Sequence, residues 1–116
     1  VASAKGDNLV PRPAKKTEYT IRFATTQARK GWNDLIATRR NPMAETWDFL
    51  TRTPLDVTPT NCPLKGELAT LSRNGSTHQR WQHKPTAGGT ARIWFYVNER
   101  SVYIEQVHTH HPHETK

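Results

Sequence analysis

The sequence is short of cysteine, of acid and of long apolar runs. Cys62 is its only cysteine, so no disulfide forms within the chain and no cysteine zinc motif exists. A reducing, cytoplasmic setting fits that usage. No stretch approaches the roughly 20 apolar residues that span a bilayer. The apolar residues near the start are too scattered for a signal peptide, so no membrane partner is expected. Val1 in place of a starting Met fits a fragment or a processed product. Asp and Glu number 10 against 17 Lys and Arg, a formal charge of +7 and a pI of about 10.0. That imbalance favours a polyanionic partner, nucleic acid first, over an acidic protein or an anionic membrane surface. Hydrophobic residues make up 34% and mean hydropathy is −0.84, so 116 residues give one domain with a small core. The 4 tryptophans supply much of the apolar area that is there.

Residues 1–16, rich in proline, lysine and small side chains, predict a flexible basic tail, with the domain over 17–116. Lys5, Arg12, Lys15 and Lys16 could touch a polyanion from there, though a solvated leader explains them better. Glu18–Ala24 alternates Tyr19, Ile21 and Phe23 against polar residues, a half-buried strand. Thr25 or Thr26 then caps a helix over 26–39 whose stripe is Ala28, Trp32, Leu35 and Ile36. Asn41-Pro42 reads as a second helix start, cap then first position, for a helix over 42–51 with Met43, Trp47 and Leu50 inward. The expected core is Ile21, Phe23, Trp32, Leu35, Ile36, Trp47, Leu50 and alternate strand residues.

Leu55–Pro63 reads as a loop, and Leu68–Arg73 as a strand. Asn74-Gly75 is the strongest short hairpin signal in the chain, with Ser76–Lys84 as the returning strand. A Gly-containing loop leads to a last hairpin, Ala91–Val97 and Val102–Val107, joined by the polar turn Asn98–Ser101. The first of its strands puts Ile93, Phe95 and Val97 on one face and Arg92, Trp94 and Tyr96 on the other. The order β-α-α-β-β-β-β predicts an α+β domain, with two helices packed on one face of a mainly antiparallel twisted sheet and the other face open.

Beyond the last strand stand four histidines, His108, His110, His111 and His113. Histidine suits proton transfer because its ordinary pKa lies near neutrality. An arginine suits phosphate because its fork binds two oxygens at once. Arg92 beside this histidine-rich strand end is thus a candidate phosphate site. The plain alternative is a sheet-surface arginine, stacked on Trp94 or paired with Glu105. A two-residue turn would set Arg92 opposite Val107 and turn His108 and His110 to the other face. A longer loop with a bulge would bring them to Arg92's face. His-x-His-His-x-His is also a metal-type tract, but no Cys or carboxylate cluster accompanies it, so neither metal nor cofactor is expected.

Three motifs in order carry a resemblance: Pro63-Leu64-Lys65-Gly66, the strand Ala91–Val97, and His110 with its spacing from Arg92. They resemble the RelE/ParE toxin superfamily, closest to its YoeB-like RNase toxins, over about residues 19–111. The resemblance implies the toxin of a toxin-antitoxin system, held by an acidic antitoxin protein. It implies an endoribonuclease that cleaves mRNA, commonly at the ribosome, by 2′-OH attack that leaves a 2′,3′-cyclic phosphate. Arg92 would steady the phosphate and His110 protonate the leaving oxygen. His111 sits where that branch ends in a tyrosine, and His108 ranks beside it as a catalytic candidate. The branch's glutamate base does not carry over, because Cys62 holds that position. The base would then be His108, His111 or Glu67. Lys65, Arg73, Arg80, Lys84 and Lys30 would line the RNA path. Trp81 or Trp94, if exposed, could stack on a base, though core packing is the plainer reading of either one. The alternatives are a non-enzymatic ParE-like inhibitor of DNA gyrase, a small RNA-binding protein without chemistry, and a secreted polymorphic toxin domain of the same fold.

Overall fold

A computed structural model describes residues 10–13 and 15–110. The alternating stretch at 18–24 forms β1 (Thr20–Phe23), and two helices follow, α1 (Thr26–Thr38) and α2 (Arg40–Arg52). Then come β2 (Asn61–Pro63), a 3-10 turn at Gly66–Leu68, β3 (Thr70–Arg73) and β4 (Ser76–Gln79). The last three strands are β5 (Trp81–His83), β6 (Arg92–Asn98) and β7 (Ser101–His108). Among the described residues they make a five-stranded sheet in the order β1-β7-β6-β5-β2, and a separate ribbon of β3 and β4. Among the described residues only β1 and β7 pair in parallel. Both helices lie on one sheet face, so the α+β expectation holds.

Thr25 starts α1 in extended backbone, and its hydroxyl accepts from Ala28 N. One face of α1 buries Ala28, Trp32 and Leu35 against Ile93, Phe95, Ile104 and Val107 of the sheet. Gly31 lets the helix come this close. A Cβ there would stand 2.7 Å from Val107 Cβ, inside any tolerable contact. Ile21, Phe23 and Ile36 pack at the margin of this core, partly buried.

Several expectations are corrected. The second helix starts at Arg40, after Arg39, and Asn41 is not its cap. Pro42 still sits in the first turn, where its missing N–H would have no helical partner anyway. Trp47 is 38% exposed; the buried stripe of α2 is Met43, Thr46 and Leu50, and Trp47 lies at its edge under the Arg12 guanidinium. The loop expected over 55–63 ends in strand β2, which tolerates Pro63 because it is an edge strand.

The strand expected over 76–84 is two strands. At Arg80 the chain leaves the ribbon for the sheet, with Arg80 N donating to Ala69 O and Leu64 N to Arg80 O. Asn74 and Gly75 do turn the ribbon, with φ of 54° and 81°. The face expected to be open is covered in part by that ribbon: the His78 ring stacks on Tyr96 at 4.5 Å.

Candidate functional site

The sheet face away from the helices is read off the register. Directly paired residues share a face, so Cys62, Gln82, Trp94 and Gln106 form one row across β2, β5, β6 and β7. Arg92 and His108 stand opposite each other at its strand-end side, and Tyr96 and Tyr103 at the other. The hairpin turn is two residues long, Glu99 and Arg100, between the pair Asn98 and Ser101. That turn alone would set Arg92 against Val107. However, the pairing shifts between Trp94 and Phe95: Phe95 faces Ile104 and Trp94 faces Gln106, so Glu105 is an extra residue in β7. This bulge is what brings His108 opposite Arg92.

The far end of β7 is held by α1 in place of a strand. β1 stops at Phe23, paired with Ile104. Beyond it Thr25 Oγ1 donates to Glu105 O at 2.8 Å. Gln27 then clasps Val107: its Nε2 donates to Val107 O at 2.7 Å, and Val107 N donates to its Oε1 at 3.1 Å.

The bulged Glu105 is buried and takes a two-pronged bond from Arg80, Nε to Oε1 at 2.8 Å and Nη2 to Oε2 at 3.0 Å. Arg73 Nη2 stands 3.9 Å from Oε2. The Arg80 guanidinium lies 5.4 Å over the Trp94 ring, and its Nη1 donates to Leu68 O. Two arginines thus share one carboxylate, which leaves a net positive charge on this face. Burial pushes the Tyr96 phenol up, with Arg73 pulling the other way.

Arg92 is only 7% exposed. Its Nη1 donates to Gly89 O at 3.0 Å and Ala91 O at 2.8 Å, while its Nε has no hydrogen-bond partner among the described residues. Burial draws its pKa down. The alternatives weighed for it from sequence belong to another residue: Arg80, not Arg92, pairs with Glu105 and lies over Trp94.

His108 stands edge-on to Trp94 with ring centroids 4.7 Å apart. His110 follows in an exposed bend two residues past the end of β7. His111 and His113 lie outside the described residues. Lys65 and Lys30 are exposed, Lys30 on α1 in the layer behind the sheet, and Lys84 is half-buried. Glu67 is exposed in the 3-10 turn. Core packing, the plainer reading of Trp81 and Trp94, is what the structure has, and neither is free to serve as a base platform. Trp94 is 3% exposed and donates to Gln82 Oε1, and Trp81 faces the helix side, stacked on Phe95. Glu105 and Gln27 carry no mark of a site in the sequence, since a bulge does not alter residue alternation and a side-chain clasp leaves no pattern. Among the described residues no group of three or more His, Cys, Asp or Glu could hold a metal ion. No helix among them is long and apolar enough to cross a membrane.

No family model and no curated protein matches the chain. A solved structure does: a YoeB/ParE toxin from Agrobacterium tumefaciens, at 18% identity and a TM-score of 0.56. The match covers 79% of this chain and 99% of that one. At this identity the likeness is one of fold, and the chain therefore has the fold of the RelE/ParE toxins.

Proposed function

We propose that this chain is a toxin that cleaves RNA, with Arg92 at the scissile phosphate and histidines of the β7 end moving the protons. The observation that carries the reading is the bulged register, which sets His108 opposite Arg92 on a face that Arg73 and Arg80 make positive. RNA supplies its own nucleophile. The ribose 2′-oxygen forms a bond to phosphorus, and the bond from phosphorus to the 5′-oxygen breaks. His108 takes the 2′-OH proton, and exposed His110 gives a proton to the leaving 5′-oxygen. Arg92 and Arg80 stabilise the extra negative charge of the phosphorane. Lys65, Lys84 and Arg73 hold the flanking backbone without reading sequence, whereas Lys30, on the helix behind the sheet, lies away from that path. His111 stays a candidate for the same proton transfers. An acidic antitoxin would cover this basic surface, through contacts that weaken with salt.

One observation favours a second reading, a non-enzymatic inhibitor of DNA gyrase. Arg92 spends Nη1 on two backbone carbonyls, as a structural arginine does. The experiment that separates the two is incubation of the purified chain with RNA, with and without ribosomes, and identification of the new 3′ ends. A 2′,3′-cyclic phosphate is the expected product. Intact RNA under both conditions, together with blocked gyrase supercoiling, would put the second reading in its place.

A further inference from the structure

A cleft of about 200 Å³ lies on the helix side of the same sheet end. Glu45, Thr46 and Phe49 of α2 line it, with Thr60, His83 and Lys84 from β5 and its approaches. Its chemistry is fixed by Asn61, which is fully buried. Asn61 Nδ2 donates to Pro54 O at 2.9 Å and Asp56 O at 2.8 Å, so Oδ1 must be the atom facing His83 Nδ1 at 3.1 Å. An amide oxygen only accepts, so Nδ1 carries the proton and Nε2 is left as an acceptor. Burial pushes the His83 pKa down to about 4, which keeps the ring neutral at physiological pH. Phe49 stacks on that ring at 5.1 Å. Thr46 is 2% exposed, and its Oγ1 has no hydrogen-bond partner among the described residues. A buried hydroxyl left so costs about 1–3 kcal/mol, which a bound polar group would relieve.

We infer that this cleft takes one nucleobase of the RNA, with its sugar and phosphate outside beside Lys84. A volume below the roughly 300–1,000 Å³ of sites that enclose drug-sized ligands admits a single ring system. The neutral Nε2 acceptor selects an N–H donor, which nucleobases offer. Thr46 adds a hydroxyl of either sense, Phe49 an aromatic wall, and Glu45 an acceptor for an amino group. Lys84 supplies the cation for the adjoining phosphate. His83 pairs with Ile93, the residue after Arg92, and the loop from Lys84 to Ala91 joins the two places. A base seated here would therefore belong to a nucleotide near the bond that Arg92 attends. The inference rests on the RNA reading of the chain.

The test is a titration of the whole chain with AMP, CMP and ribose 5-phosphate, following the nitrogen resonance of His83 Nε2. Both nucleotides are expected to shift it, alike in wild type and in Arg92→Ala, and ribose 5-phosphate is not. Thr46→Val, which keeps the shape of the side chain, should weaken nucleotide binding about tenfold, the worth of one hydrogen bond. A ribose 5-phosphate shift equal to that of AMP overturns the base site and leaves a phosphate site at Lys84. No shift at millimolar nucleotide overturns it outright. A base-dependent shift in a chain that cleaves no RNA keeps the cleft and removes the nuclease, and cleavage without any shift does the reverse.

Discussion

On the helix side, β6 and β7 present Ile93, Phe95, Val102, Ile104 and Val107, each at most 1% exposed. On the ribbon side the same two strands present Arg92, Trp94, Tyr96 and Glu105, between 3% and 7% exposed. The depth is nearly the same and the chemistry is not. The apolar face needs only contact, and each side chain there gains about 1.5–3 kcal/mol from leaving water. The polar face needs a partner for every charge, since a desolvated ion without one is strongly unfavourable. Its arginines meet Glu105, backbone carbonyls and an indole ring. A packed set of hydrophobic side chains would serve stability at least as well. On the proposed RNase reading, chemistry on a phosphate is the reason to keep cations there.

The largest contrast between the faces should appear in rate. If the proposed RNase reading holds, Arg92→Ala takes a cation away from the phosphate and should slow single-turnover RNA cleavage by roughly two orders of magnitude or more. His110→Ala removes the proposed proton donor and should cost about 10²–10⁴-fold. Neither side chain is part of the apolar core, so circular dichroism should report a folded chain in both. Undiminished cleavage by the two variants would leave the ribbon-side face without a catalytic role.

Stability gives the next contrast. Glu105→Ala leaves Arg80 and Arg73 side by side, half-buried and without their carboxylate. Breaking a buried pair in this way costs about 3–5 kcal/mol, as much as a cavity on the helix side. Urea denaturation would measure it. A loss under about 1 kcal/mol, the ceiling for a typical solvent-exposed pair, would mean that water already screens this face.

Much of the helix-side face was legible in the sequence, and far less of the other. Period-two alternation in 91–97 and the stripe Ala28, Trp32, Leu35 name the core because burial alone decides it. Trp47 escapes that logic, being one position off the buried line Met43, Thr46, Leu50. The ribbon-side geometry depends on one extra residue at Glu105, and bulges do not alter alternation on the partner strand. Without the bulge, Arg92 and His108 would lie on opposite faces. The ribbon's departure from the sheet at Arg80 was hidden too, since Ser76–Lys84 reads as one continuous strand. Arg80, expected along the RNA path, could not be seen as the partner of Glu105 across 25 residues.

A pH scan sharpens the comparison from the helix side. His83 is held neutral by burial, with its pKa lowered from 6.5 to about 4. Above pH 6.5 the ring is neutral in both folded and unfolded chains, and it adds no pH dependence. Between 6.5 and about 4 the unfolded ring takes a proton that the buried ring does not, so stability falls on acidification. The loss is at most about 3 kcal/mol. His83→Gln should flatten the scan in that window by the same amount, taken as the difference between variant and wild type. Parallel scans would mean that the buried ring is protonated as readily as a free one.

The smallest effect tests how the two faces are joined. Gln27 reaches from α1 to the far end of β7 and bonds both the N–H and the carbonyl of Val107, where no strand continues beyond β1. Its amide has one donor and one acceptor in the order that a neighbouring strand would offer. Val107 points into the core and the next residue, His108, faces Arg92, so the clasp fixes the strand end that carries His108. Gln27→Ala leaves both backbone groups to water at this partly buried edge and should cost about 1–2 kcal/mol. Gln27→Glu keeps the acceptor for Val107 N but sets a carboxylate oxygen against Val107 O, so it should be the less stable of the two above pH 6. In cleavage assays Gln27→Ala should lower kcat a few-fold with KM unchanged, because it loosens His108 without touching the path of the RNA. A Gln27→Glu chain as stable as wild type would show that the end of β7 needs no clasp, and that the bulge alone sets His108 against Arg92.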